Sequence, residues 1–225
     1  MSEPRARHGR LPWLAPGELT AAQGEVYGAI TEGPRSTGST VPLVDAAGRL
    51  EGPFNSLLLD PPLGAAVAAL GEAVRYRSSL SARARETAIL ELASLRGCQF
   101  EWYAHEHQAL RAGLTAEQVS SLRRGDPAPG LDPAEQLVRS IVTSLVRERD
   151  LDDALFTEAE EVLGLPALSD LVVLVGYYDL LALGMVAFRS PLPEGAAPAA
   201  DLGASARARS AASGEAESPV PPGRE

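Results

Sequence analysis

The chain has 225 residues, 45% of them hydrophobic, and a formal charge of −10, which gives room for one self-sufficient core and argues against a second full domain. The acidic balance argues against a nucleic-acid partner, because neutralising phosphates requires a basic surface. All 20 basic residues are arginine, and without an ε-amine the chain cannot form a Schiff base, anchor pyridoxal phosphate or supply a phosphate-loop lysine.

Taken in chain order, residues 1–10 lack apolar periodicity and are expected to be a flexible N-terminus. Trp13 to Pro16 is too short for the apolar core of a secretion signal. From Gly33 to Pro53, Gly-Ser-Thr clusters and the Gly52-Pro53 pair mark a long irregular stretch, a candidate lid or pocket wall. Asp60 with Pro61 and Pro62 suits a helix start, with the helix running to about Arg75. Ser81 caps the next helix, which places Ala84, Ala88, Leu92 and Leu95 at spacings of three and four up to Gly97. A third helix runs from about Cys98 to Ala112 and stops at Gly113. Thr115 with Gln118 reads as a capping box. Asp132, Pro133 and Glu135 open a helix with Leu137, Ile141 and Leu145 on one face, ending near Arg149. Asp152 and Pro166 start the last two. Leu171 to Phe188 is very apolar, but Gly176, Asp179 and Gly184 interrupt it, as suits a buried helix better than a membrane span. From Pro191 to Glu225 the chain is rich in Pro, Ala, Gly and Ser and is expected to be a disordered tail. The reading is one all-α helical bundle over residues 11–190. The lone Cys98 cannot form an intramolecular disulfide, and a cytoplasmic location is expected.

The chemistry concentrates in Gly97-Cys98-Gln99-Phe100-Glu101-Trp102-Tyr103-Ala104-His105. Cys98, Glu101 and His105 stand at i, i+3 and i+7, so a helix aligns a thiol, a carboxyl and an imidazole along one stripe. Glu86 lies twelve residues before Cys98, about 18 Å away along an unbroken helix. It joins the group only if the chain folds back, and Gly97 is the natural break. Each residue also has a plainer role open to it. A lone cysteine on an apolar face is more often a small buried hydrophobe, Glu and His four apart are often a surface pair, and Glu86 can equally cap a helix or bind an arginine. Glu101 and His105 offer two metal ligands on one face without an identifiable third, so no metal is expected.

The order Glu86, Cys98, Glu101, His105 resembles the signature of the alkyl hydroperoxidase D-like superfamily, in which a glutamate is followed twelve residues on by Cys-x-x-Cys and then by histidine. Arg83-x-Arg85-Glu86, Ile89-Leu90, Ala109-x-x-x-Gly113-Leu114-Thr115, Gly52-Pro53-Phe54-Asn55 and Leu174-Val175-Gly176-Tyr177-Tyr178 extend the resemblance from about Leu11 to Ser190. Here Glu101 replaces the second cysteine, so the peroxide-reducing dithiol cannot form within one subunit. What remains is similar to the carboxymuconolactone decarboxylase branch, which implies the helical fold, a lactone-like substrate and no cofactor.

The leading expectation is a cofactor-free lyase or isomerase acting on a small carboxylated or lactone-like molecule. His105 is its general acid or base, Glu101 or Glu86 orients it or relays the proton, and Cys98 shares the site. Arg75, Arg83 or Arg85 is placed to hold a substrate carboxylate, and Asn55 to contact the substrate from the irregular region. The alternatives are a peroxidase using Cys98 alone with an external thiol, and a non-catalytic binding protein of the same fold. The resemblance also implies a homo-oligomer, a trimer or hexamer, with sites near subunit contacts.

Overall fold

A computed structural model describes residues 6–39 and 41–204 of the protein. Side-chain caps set most helix starts. Thr20 and Gln23 exchange the bonds of a capping box to open α1 (Ala21–Thr31), followed by the single turn α2 (Arg35–Gly38). Asp60 accepts from the Leu63 N–H to start α3 (Pro61–Tyr76), with proline in the first turn where its missing N–H costs nothing. Ser81 caps α4 (Ala82–Arg96) in the same way. Gly97 ends α4 in the left-handed region at φ 64°, a conformation that costs a residue bearing a Cβ about 1–2 kcal/mol. The reversal there starts α5 (Gln99–Arg111) in a new direction. Capping boxes at Thr115/Gln118 and Asp132/Glu135 open α6 (Ala116–Arg124) and α7 (Pro133–Arg147), and Asp152 opens α8 (Asp153–Leu163). The long α9 (Leu165–Phe188) follows.

The fold is all-α around α4, which packs against α5, α6, α7 and α9. Every residue of α4 from Glu86 to Ser94 is buried. One core cluster joins α4, α7, α8 and α9 through Ile89, Leu92, Ile141, Leu171 and Leu174. A second lies under α5 and α6 around Trp102, Leu114 and Leu122. A third holds α1, the 3-10 turns of Gly52–Leu58 and α3 together through Ile30, Leu50, Leu58 and Ala68.

Three features depart from the expectations. The helix α1 was not foreseen, although its Thr20-x-x-Gln23 capping box is present in the sequence. Residues 6–10 belong to the folded unit. The short strands β1 (Arg7–His8) and β2 (Leu11–Pro12) pair antiparallel, His8 is buried, and the Arg10 N–H donates to the Phe188 carbonyl at 2.8 Å. Residues 191–204 likewise dock on the bundle. Leu202 enters the second cluster, Gln99 binds both the N–H and the carbonyl of Ala199, and Arg123 pairs with Asp201 at 2.8 Å. Both segments are held by isolated anchors and carry no periodicity, so composition alone read them as loose. The remainder of both expected tails, residues 1–5 and 205–225, lies outside the described residues.

Candidate active site

The break at Gly97 turns α5 back along α4 and closes the gap between Glu86 and the α5 stripe. Glu86 Oε2 lies 2.7 Å from His105 Nδ1, and both residues are buried. Arg75, in the last turn of α3, places Nη1 3.3 Å from His105 Nε2 and 3.4 Å from the Tyr178 hydroxyl. The Tyr178 ring meets the imidazole edge-on at 5.2 Å. Behind the pair, Arg85 Nε is 3.6 Å from Glu86 Oε1.

Burial gives these groups different protonation states. It lowers the His105 pKa, and the attraction of Glu86 does not overcome burial combined with the charges of Arg75 and Arg85. Burial alone would raise the Glu86 carboxyl, but His105, Arg75 and Arg85 outweigh it and hold the group below the usual carboxylate value. The pair is therefore a carboxylate accepting from a neutral imidazole. Nδ1 carries the proton, and the Nε2 lone pair, the basic site, accepts from Arg75 Nη1 at 3.3 Å. Glu101 is the opposite case. It is 3% exposed, neither carboxyl oxygen has a well-aligned hydrogen-bond partner among the described residues, and burial reinforced by the charge of Asp179 pushes its pKa well above the normal value. Glu101 is thus held toward its neutral, protonated form. The Cys98 thiol couples to Glu101 electrostatically without a well-aligned hydrogen bond, and burial followed by Glu101 pushes it up to about 12.

Arg75, Glu101, His105, Tyr177 and Tyr178 face one cavity of about 70 Å³. A single water needs roughly 10–15 Å³ on this measure, so the cavity admits a compact organic molecule. The irregular stretch forms its opposite wall through Arg35, Val41, Pro42, Leu43 and Glu51, with Phe54 just beyond, while Phe100 and Leu181 add apolar surface. Cys98, at the N-cap of α5, packs in the first core cluster and is not part of the lining.

The remaining sequence candidates are distributed differently. Arg83 clamps α4 to α7 through two bonds to Glu135, at 2.5 and 2.9 Å, and also donates to the Gly113 carbonyl. Asn55 donates to the Pro12 carbonyl at 3.0 Å and ties β2 to the body. Arg85 supports Glu86 from behind. None of these three lines the cavity. Arg35, Tyr177 and Tyr178 were not among the candidates. The usable signal was the Tyr177-Tyr178-Asp179 interruption of an apolar helix, since buried tyrosines bring hydroxyls that need partners. Among the described residues no group of three His, Cys, Asp or Glu side chains is arranged to hold a metal ion.

The model of the carboxymuconolactone decarboxylase family matches residues 61–144. This span runs from α3 into α7 and contains Arg75, Glu86, Cys98, Glu101 and His105, but not Arg35, Tyr177 or Tyr178. No curated protein matches the sequence. Among solved structures, the apo crystal structure of the debrominase Bmp8 has the same fold, with a TM-score of 0.63 at 14% identity over 81% of this chain and 91% of that one.

Proposed function

We propose, for a chain whose residues 61–144 belong to the carboxymuconolactone decarboxylase family, a cofactor-free lyase or isomerase that moves protons on a small carboxylated or lactone-like substrate. The observation that carries this reading is the difference between two buried carboxyls of the site, Glu86 held ionised behind His105 and Glu101 held toward the neutral acid at the cavity wall. A site with a neutral imidazole held as a base and a carboxyl held toward its protonated form suits proton transfer to and from carbon.

In the decarboxylating direction the bond from carbon to the departing carboxylate breaks, and its electron pair moves into an enolate. Arg75 and the Tyr178 hydroxyl stabilise the negative oxygen that forms. Carbon dioxide leaves along the apolar wall of Phe100 and Leu181, and Glu101 gives its proton to the enolate carbon, later regaining one from solvent. In the isomerising direction His105 Nε2 removes the proton and Glu86 steadies the imidazolium. At 14% identity the debrominase neighbour supports the fold alone.

The rival reading, a one-cysteine peroxidase, needs an accessible thiolate. A thiol buried outside the cavity and pushed up to about 12 does not supply one. Carbon dioxide release and solvent deuterium exchange, measured by NMR across a panel of carboxylated lactones and enolisable acids, test the proposal. Cys98→Ala is expected to keep turnover within about twofold of wild type, because it removes no proton-transfer group. Peroxide consumption that disappears in Cys98→Ala would overturn the lyase reading. Absence of any turnover, with ligand binding retained, would favour the non-catalytic alternative.

We also propose a homo-oligomer, built on the outer face of α9. Leu180, Leu183 and Val186, about one turn apart near its C-terminal end, leave 48%, 64% and 71% of their surface exposed there, and exposed apolar groups clustered in this way mark interaction surfaces. A second copy of the same helix is the partner with matching chemistry, and a trimer or hexamer is the form the family resemblance suggests. Light scattering should give a multiple of the 23.6 kDa subunit mass, and Leu183→Glu combined with Val186→Glu should give a monomer with unchanged helicity. A monomeric wild type at micromolar concentration defeats this assignment.

A further inference from the structure

Arg35 is a buried cation that makes no ion pair among the described residues. It sits on α2, upstream of the family-matched residues, and only 5% of its surface is exposed. The nearby Glu72, on α3, is bound instead by Arg77 at 2.8 Å. Arg35 Nη2 donates to the Ala68 carbonyl at 2.8 Å, and its guanidinium lies 5.6 Å from the centre of the Phe54 ring. A guanidinium carries five N–H donors, and beyond Ala68 it also couples to the Tyr177 hydroxyl, leaving part of its donor capacity for a ligand. Gly71 makes room for a further neighbour. A Cβ at that position would collide with the Tyr177 hydroxyl and lie 2.6 Å from Arg35 Nη2, so hydroxyl and guanidinium meet over bare helix backbone. Arg35 and Tyr177 both line the cavity that holds His105.

Burying an unpaired charge is costly, and an apolar residue of similar length would serve packing better. The cavity therefore contains two arginine–tyrosine pairs. Arg75 with Tyr178 adjoins His105, while Arg35 with Tyr177 stands beside it, the two tyrosine rings being 5.3 Å apart. Planar forked donors of this kind match carboxylate oxygens.

We propose that Arg35 and Tyr177 form a second anion subsite that grips a spectator carboxylate, while the reacting end of the substrate lies against Arg75 and Tyr178. The site then selects molecules with two anionic groups. The inference rests on the proton-transfer reading only for which end reacts, and not for binding.

Calorimetric titration of the full chain with linear dicarboxylates of increasing length, each set against the monocarboxylate of equal length, tests it without turnover. At the best length the dicarboxylate is expected to bind at least about tenfold more tightly. Arg35→Met should reduce it to the monocarboxylate level and leave monocarboxylate binding at the Arg75 end unchanged, while Arg35→Lys should retain part of the preference. The thermal midpoint of Arg35→Met should equal or exceed that of wild type, because the variant removes an uncompensated charge. Lack of a dicarboxylate preference at any length overturns the proposal. So does a preference that survives in Arg35→Met, and a lower midpoint in that variant would then identify Arg35 as a packing residue. If turnover assays fail while this preference holds, the proton-transfer reading fails alone.

Discussion

Glu101→Gln is expected to lower turnover by about 100-fold or more, the usual contribution of a positioned general acid, while raising thermal stability at neutral pH. The two effects share one cause. The folded protein keeps Glu101 protonated well above the ordinary carboxylate value, whereas the unfolded chain releases the proton near 4.5. Between these two values the native state binds more protons than the unfolded state, so the stability of the wild type falls as pH rises. The limiting slope for one group is about 1.4 kcal/mol per pH unit, or roughly 3–6 °C in a protein of this size. Glutamine resembles the protonated acid in shape and does not titrate. Melting curves from pH 4 to 8 should therefore show the variant and wild type converging at the acid end and separating progressively above it. A gap independent of pH would show that Glu101 ionises normally, and unimpaired turnover would remove it as the proton donor.

Glu86→Gln should have the reverse signature. Its carboxyl is held below the usual value when folded, so it contributes stability above the unfolded value, and that contribution is lost as pH falls through the folded pKa. Replacing it leaves Arg75, Arg85 and His105 without their buried anion. Breaking such a cluster by removing one partner costs about 3–5 kcal/mol, which should appear at neutral pH and shrink on acidification. His105→Ala separates stability from chemistry. It should remove about 100-fold or more of the turnover, yet destabilise less than Glu86→Gln, because Glu86 keeps the charges of Arg75 and Arg85 nearby. If Glu86→Gln melts like wild type at pH 7, the Glu86–His105 pair is not the ionic arrangement described above.

The opposite behaviour of Glu86 and Glu101 also shows where sequence reading reached its limit. The helices α3 to α9 were legible because their signals are local. Asp60, Ser81, Thr115, Asp132 and Asp152 cap through bonds spanning three residues, and Gly97 permits a left-handed turn that few other residues adopt. The stripe of Glu101 and His105 follows from helical spacing, and the need for Glu86 to fold back follows from its distance. Arg75, Arg83, Arg85 and Asn55 were equivalent as candidates, because a guanidinium or amide near the motif gives no indication of its partner. Tertiary packing separated them, sending Arg83 to Glu135 and Asn55 to the Pro12 carbonyl while aiming Arg75 into the cavity.

The stripe, the break that completes it and the all-helical frame were thus determined by the sequence itself, since each depends on backbone geometry over a few residues. Tertiary structure alone decided which carboxyl is charged, that Cys98 is buried outside the cavity, and that Arg35 and Tyr177 meet across Gly71 from distant parts of the chain. Those outcomes depend on desolvation and on charges brought together over long sequence separations, quantities that exist only once the chain has closed around them.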